Sequence, residues 1–292
     1  MTERIGLIGL GLVGTAIAGR LSADRFDVAG FDIDPARCEH IDKLGLKTLG
    51  APAQAARAAE RIVLSLPDSQ AVLNVVEGPA GLLEAENPPK YIIDTTTGDP
   101  EQTEALAQRL AERRIHFLDA TISGSSLQVR ERKAILMVGG DKGAFDNCRD
   151  ILEALAEKIF YLGPSGSGSR AKLASNLVLG LNRLALAEGL VFAADLGLEP
   201  AAFLELLKAT PARSAVMDTK GPKMLGRDFE PQARLRQHHK DVAIILKYAR
   251  KAGRELPLSR LHLDILEKAI AAGDGDMDNS AVIREIERRR WP

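Results

Sequence analysis

Two groups of residues in this chain combine types and spacing that could do chemistry. The first is Gly9-x-Gly11-x-x-Gly14, which follows the apolar run Arg4-Ile5-Gly6-Leu7-Ile8 and leads into the helix-forming Thr15-Ala16-Ile17-Ala18-Gly19-Arg20-Leu21. Asp32 closes a second apolar run, Val28-Ala29-Gly30-Phe31, roughly 20 residues on. Strand, glycines, helix and acid in that order form the context of a dinucleotide-binding turn. Gly9 permits the tight turn, Gly11 removes the Cβ that would hold a pyrophosphate off the backbone, and Gly14 lets helix and sheet pack closely. The first N–H groups of the helix, from Leu10-Gly11-Leu12-Val13 onward, and its positive dipole end then face phosphate. Asp32 accepts hydrogen bonds from ribose hydroxyls and repels a 2′-phosphate, so the expected cofactor is NAD rather than NADP. Arg37 is the one nearby cation that could reverse that preference.

The second group is Lys172, Asn176 and Gly180, four apart in a continuously helix-forming stretch from Arg170 to Leu196. That spacing puts them on one stripe, beside the apolar Leu173, Leu177, Leu181 and Leu184 and just after the glycine-rich Gly163-Pro164-Ser165-Gly166-Ser167-Gly168-Ser169. Hydride transfer to or from a nicotinamide needs a group that takes or gives the alcohol proton. A free lysine has a pKa of about 10.4, and burial plus the charge of an oxidised nicotinamide lower it toward a useful range. The five histidines are weaker candidates. His40 and His116 fall among surface-type residues, and His238, His239 and His262 have no acid placed in sequence to form a relay.

The elements that must position these groups follow from periodicity. Runs at residues 61–66, 90–94, 115–120, 134–140 and 158–162 read as buried strands, alternating with helices at 35–44, 51–59, 69–76, 100–113 and 145–156. Strand and helix in alternation predict a parallel, doubly wound sheet whose ligands bind at the strands' carboxyl ends. Leu66-Pro67 is such an exit, because proline cannot continue a central ladder. Small polar residues from Thr121 to Gln128 form another. After residue 163 no strand pattern recurs. The expected fold is thus an α/β Rossmann-type doubly wound domain over residues 1–163, followed by an all-α domain over residues 164–292 with helices at 200–210, 235–252, 257–272 and 280–289. The charged tail Glu285-Ile286-Glu287-Arg288-Arg289-Arg290-Trp291 reads as a solvated helix end.

Composition narrows the partners. The chain has 292 residues, with 39 basic and 40 acidic side chains giving net charge −1, and so lacks the excess charge of a nucleic-acid or anionic-membrane binder. Cys38 and Cys148 form no CxxC and stand far apart, which indicates neither metal site nor disulfide framework. No metal ligands are expected. The first strand starts too close to Met1 for a signal peptide, no apolar run approaches membrane-spanning length, and the expectation is a soluble, cytoplasmic protein.

Several motifs in order carry a family resemblance. Gly9-x-Gly11-x-x-Gly14, Leu66-Pro67, Asp94-Thr95-Thr96-Thr97, Asp119-Ala120-Thr121-Ile122-Ser123-Gly124, Met137-Val138-Gly139-Gly140, Gly166-x-Gly168-x-x-x-Lys172-x-x-x-Asn176 and His239-Lys240-Asp241 together resemble the β-hydroxyacid dehydrogenases. That is the family of 3-hydroxyisobutyrate dehydrogenase and tartronate semialdehyde reductase, similar to 6-phosphogluconate dehydrogenase. The resemblance spans nearly the whole chain. It implies an oxidoreductase acting on a small β-hydroxy acid or its semialdehyde. Lys172 is then general acid/base and Asn176 its substrate-orienting neighbour, while Ser123, Gly124 and Ser125 hold the substrate carboxylate. Leu66, Pro67, Thr97 and Lys240 join the glycine loop and Asp32 in binding the cofactor, and the assembly is a homodimer or homotetramer. One departure stands out: where the family has Ser-Gly-Gly, this chain has Ser123-Gly124-Ser125-Ser126, which adds a hydroxyl and restricts the backbone at the carboxylate position. Two other readings share the architecture: an imine reductase, which retention of the Lys172 motif disfavours, and a non-catalytic NAD-binding redox sensor, which needs neither Lys172 nor Asn176.

Overall fold

The sheet that carries the glycine loop has eight strands: β1 (Arg4–Ile8), β2 (Asp27–Phe31), β3 (Lys47–Thr48), β4 (Arg61–Leu64), β5 (Tyr91–Asp94), β6 (His116–Ser123), β7 (Ala134–Gly140) and β8 (Ala156–Tyr161). The structure is a computed structural model describing residues 3–290; Trp291 of the charged tail lies outside the described residues. Two compact units divide the chain, residues 1–172 and 173–292. In the first, the strand order is β3-β2-β1-β4-β5-β6-β7-β8. The chain moves outward from β1 to β3, then returns to the other side of β1 at β4. The carboxyl ends of β1 and β4 therefore form the switch point where doubly wound sheets bind ligands.

Side chains alternate across this sheet with period two. Leu7, Val63, Ile93 and Leu118 are buried on one face, and Ile8, Ile62, Leu64, Ile92 and Phe117 on the other. Strands covered by helices on both faces read as continuous apolar runs, as these do.

Not every pair is parallel. β6 and β7 run antiparallel, from Leu118↔Gly140 to Ser123↔Ile135, whereas alternation predicted parallel strands throughout. The reason is length: a parallel crossover needs roughly a dozen or more residues, and the link from Ser123 to Ala134 holds only a short helix, Ser126–Arg130. β6 also runs three residues beyond the expected Ala120, because β7 offers it a ladder there. The expected helix 145–156 is two, Lys142–Asn147 and Arg149–Leu155, meeting at the buried Cys148. β3 is only two residues long, too short to leave a sequence pattern.

The second unit holds no strand among its described residues beyond one isolated bridge, Arg234↔Asp278. Its core gathers Leu184, Leu186, Ala187 and Leu190 with Leu204, Val242, Ile265 and Ile283. The breaker-rich stretch contains two five-residue helices, Ala215–Thr219 and Gly221–Leu225. The expected helix 257–272 is α-helical only to Ala269, then widens into a π turn with Gly273 at φ 90°. The tail is a solvated end only in part: Ile283, Glu285 and Ile286 of the last helix, Val282–Arg288, are buried, whereas Arg288, Arg289 and Arg290 are exposed, Arg288 pairing with the buried Asp274 at 2.7 Å.

One helix, Ser167–Asp195, starts in the first unit and continues into the second. Among the described residues it alone has the length and apolar content to cross a membrane. Those properties also suit a core helix, and its buried leucines supply the second unit's core.

Candidate active site

The glycine loop is built around contacts that tolerate no side chain. Gly9 has φ 96°, and a Cβ there would overlap the Ser65 carbonyl at the end of β4. A Cβ on Gly14 would overlap the Gly9 carbonyl. Gly11 differs, for its Cβ would meet nothing nearer than the Arg37 guanidinium at 3.8 Å, so this face of the backbone is open to an incoming group. The helix it caps, Leu12–Ala23, has no acidic residue in its first turn and no side-chain cap. Its first N–H groups and dipole are left for an anion.

Asp32 is 8% exposed at the end of β2. Its Oδ2 accepts from the Leu10 N–H at 2.7 Å, its Oδ1 accepts from the Asp34 N–H at 2.9 Å, and Arg37 lies 3.2 Å from Oδ2. Arg37 also pairs with Asp34 at 3.3 Å. Beside the loop, the Leu66 N–H donates to Thr96 Oγ1 at 3.1 Å, tying the Leu66-Pro67 exit to the turn after β5. Thr95 Oγ1 donates to the Leu64 carbonyl at 2.7 Å. Two of the three threonine hydroxyls therefore hold the sheet's edge together, and Thr97 follows them half-buried. An open Gly11, an acid-free helix start and a carboxylate at the end of β2 fit a dinucleotide.

Ser123 ends β6, and Gly124 follows at φ 148°, a value that favours glycine. Ser125 also has a local structural role. It caps the helix Ser126–Arg130, accepting from the Gln128 N–H at 3.3 Å while Gln128 Oε1 accepts from the Ser125 N–H at 2.9 Å. Its hydroxyl oxygen is engaged, which leaves its proton to donate.

Further back on β6, the buried Asp119 fixes the start of the long helix. Its Oδ1 accepts from the Gly166 N–H at 2.9 Å and its Oδ2 from the Ser169 N–H at 2.7 Å. Burial pushes the Asp119 carboxyl above its ordinary value, against those two hydrogen bonds. Gly168 packs against the Asp119 and Met137 carbonyls, where a Cβ would not fit. Lys172 follows one turn later and is 7% exposed. Its place on the helix is therefore set from the sheet.

Asn176, 5% exposed, lies one turn beyond Lys172. Its Nδ2 donates to Asp241 Oδ2 at 2.9 Å, and Asp241 Oδ1 is 3.3 Å from Lys240 Nζ. Sequence reasoning used Lys240 and passed over Asp241, although both stand in the His239-Lys240-Asp241 motif. Asp241 fixes which way the Asn176 amide faces, leaving the amide oxygen as an acceptor. Gly180, the third member of the stripe, makes room for imidazoles. A Cβ there would lie 2.7 Å from His238 Cε1 and 2.8 Å from His262 Cε1. Both rings are buried, with centroids 5.2 Å apart.

Burial and the nearby Arg183 charge lower the His262 pKa to about 4. An unfolded histidine titrates near 6.5, so the folded state binds fewer protons between those values. His262 thus contributes stability that is complete above about pH 6.5 and is lost as pH falls toward 4, up to about 3 kcal/mol. Denaturant melts from pH 7 to 4 check this, with His262→Gln expected to flatten the slope. An unchanged slope counts against His262 as the titrating group.

A cavity of about 680 Å³ lies elsewhere, at the amino ends of the strands, lined by Glu3, Glu60, Arg61, Tyr91 and Asp150. It is acidic, and its Arg61 is already engaged by Asp150 at 2.6 Å and by Glu3. It has no part in the site described above.

Comparison with known proteins accounts for both halves of the chain. Residues 4–163 match the family model of the NAD binding domain of 6-phosphogluconate dehydrogenase. Residues 166–286 match that of the NAD-binding region of NADP-dependent 3-hydroxyisobutyrate dehydrogenase. The chain is 30% identical to 2-(hydroxymethyl)glutarate dehydrogenase of Eubacterium barkeri, over 98% of this chain and 95% of that one. It is 29% identical to 2-hydroxy-3-oxopropionate reductase of Escherichia coli, over 84% of each. Among solved structures, 3-hydroxyisobutyrate dehydrogenase of Mycobacterium tuberculosis with L-serine superposes with a TM-score of 0.84 at 26% identity, over 98% of this chain and 99% of that one. Two family models that together span residues 4–286, and a relative 30% identical over nearly the whole of both chains, show that the chain belongs to the β-hydroxyacid dehydrogenase family of NAD(P)-dependent oxidoreductases.

Proposed function

We propose that this protein interconverts a small β-hydroxy acid and its semialdehyde, uses NAD(H) in preference to NADP(H), and moves the alcohol proton with Lys172. The nicotinamide supplies or receives the hydride; the protein's residues bind, orient and handle the proton. The observation that carries the reading is the turn of helix where a buried Lys172 precedes an Asn176 held by Asp241. In the oxidation direction Lys172 Nζ, as the free amine, takes the hydroxyl proton; in reduction its ammonium returns it. The Asn176 amide hydrogen-bonds the same oxygen. Ser123 and the Gly124 backbone bind the substrate carboxylate, with Ser125 adding a donor.

What supports the NAD preference is the type of residue after β2: a carboxylate such as Asp32 accepts from ribose hydroxyls and repels a 2′-phosphate, while Arg37 already pairs with both Asp32 and Asp34. Screening hydroxy acids, semialdehydes and cyclic imines with both cofactors, by absorbance of the reduced form, tests both parts. Turnover of a hydroxy acid or semialdehyde is expected, with kcat/KM for NAD at least about tenfold above NADP, since like charges brought together cost several kcal/mol. Asp32→Ser narrows that gap. Reduction of imines alone, or tight NAD binding without any turnover, overturns the substrate reading. A preference for NADP overturns the cofactor reading and makes Arg37 a phosphate partner.

A further inference from the structure

Ser125 and Gln128 are bound to each other at both ends. The Ser125 N–H donates to Gln128 Oε1 at 2.9 Å, and the Gln128 N–H donates to Ser125 Oγ at 3.3 Å. Because a backbone N–H can only donate, the oxygen of the Gln128 carboxamide must face it, which turns the amide NH2 the other way. That NH2 is not buried and has no hydrogen-bond partner among the described residues. At its root, the Gln128 Cβ lies 3.4 Å from where a Cβ on Gly124 would stand. The side chain thus starts against Gly124 and ends on the Ser125 N–H.

This arrangement takes one donor away from an anion at Ser123-Gly124-Ser125 and supplies another. A carboxylate cannot accept from the Ser125 N–H while Gln128 Oε1 holds it, and the amide NH2, on the same carbon as that oxygen, is the donor left at this position. The cations that follow are placed elsewhere. Arg130 stands at the other end of the five-residue helix, Lys133 pairs with Glu131 at 2.9 Å, and Arg132 donates to the Glu153 carbonyl at 2.7 Å.

We propose that Gln128 binds the substrate's carboxylate directly, through its amide NH2, in place of the Ser125 backbone N–H. The inference rests on the hydroxy-acid reading above and deepens it. The carboxylate is then held by uncharged side-chain donors, the Ser123 and Ser125 hydroxyls and the Gln128 amide, and the capping box orients two of the three before substrate arrives. Ser125 Oγ accepts within the box and so keeps its proton for the ligand, and Gln128 Oε1 accepts within it and so keeps its NH2. Donors ordered in advance lower the cost of binding. A cradle without formal charge also makes residue 128 decisive for specificity, since a charge placed there acts on the substrate's charge directly.

Substitution at this residue tests the proposal. NADH-loaded protein cannot oxidise an alcohol, so calorimetric titration with β-hydroxypropionate and with its neutral amide, β-hydroxypropionamide, reads binding alone. Gln128→Glu keeps an acceptor for the Ser125 N–H, because glutamate completes the same capping box, but replaces the NH2 donors by negative charge. It is expected to weaken β-hydroxypropionate roughly 10- to 100-fold, the scale of a lost hydrogen bond to a charged group, and to weaken the amide much less. Gln128→Lys, of opposite charge, should move the ratio of the two affinities the other way. A purely structural role would shift both ligands alike, and if thermal melting shows that one variant does not fold, the other decides. Equal weakening of both ligands overturns the proposal, as does a ratio that moves less than about fivefold in the folded variants, the scale of a solvent-screened charge pair. If the native protein binds neither ligand and turns over no hydroxy acid, the hydroxy-acid reading falls and this inference with it. If it binds β-hydroxypropionate with a ratio that residue 128 does not move, only the role of Gln128 falls.

Discussion

Replacing Lys172 with alanine is expected to lower kcat by roughly 100- to 10,000-fold, the usual contribution of a general acid/base. The side chain is buried, and no histidine in the first unit stands on the same helix to replace it. NADH binding, read by fluorescence titration, should survive, because the phosphate and ribose contacts proposed for the cofactor come from Gly9 and Gly11 in the turn after β1, Gly14 in the helix Leu12–Ala23 and Asp32 just after β2. Lys172→Arg is the sharper variant. It keeps the positive charge that attracts a carboxylate but cannot give up its proton at working pH. If the arginine variant turned over at near-normal rate, Lys172 would be an electrostatic anchor only. The proton carrier would then be sought at Lys240 or at the hydroxyls of Ser123 and Ser125.

The second large effect is expected at Asp119, well away from any reacting atom. Asp119→Ala leaves the buried N–H groups of Gly166 and Ser169 without acceptors, at about 1–3 kcal/mol each. A combined loss of about 2–6 kcal/mol is a large share of a domain's stability. The same change releases the helix start three residues before Lys172, so kcat falls along with the denaturation midpoint. Asp119→Asn should cost less, because the amide oxygen still accepts from one of the two N–H groups, although its NH2 faces the other and leaves it unpaired. An alanine variant within about 1 kcal/mol of the native protein would show that the helix start is held by the packing of Gly168 rather than by Asp119.

The dinucleotide half of the site was legible because its chemistry is local. Gly9, Gly11 and Gly14 need particular backbone space within one turn, and Asp32 follows at a distance fixed by one strand, one helix and one strand. The Lys172, Asn176 and Gly180 stripe was legible for the same reason, since helical periodicity alone aligns it. What escaped detection depends on partners far away in sequence. Asp241 is 65 residues from the Asn176 it orients, and the Gly166 and Ser169 N–H groups are 47 and 50 residues from Asp119. Ser125 was singled out as a departure from the family's glycine. Its capping box with Gln128 was readable from local spacing, yet the small polar run hid the short helix it starts.

The sequence by itself determined the fold class, the family, the glycine turn with its acid, and the face of the helix that carries Lys172, because strand and helix periods, glycine stereochemistry and motif order act between near neighbours. Tertiary structure decided the rest. It reversed β7, because the link after β6 is too short for a crossover, and it buried one side of the last helix, whose end the tail's charges suggested was solvated. It also set two imidazoles against Gly180 and left Arg183 buried beside carboxylates that other cations and amides already occupy. Burial and pairing are properties of groups brought together from distant parts of the chain, and no local pattern records which polar group will be left without a partner.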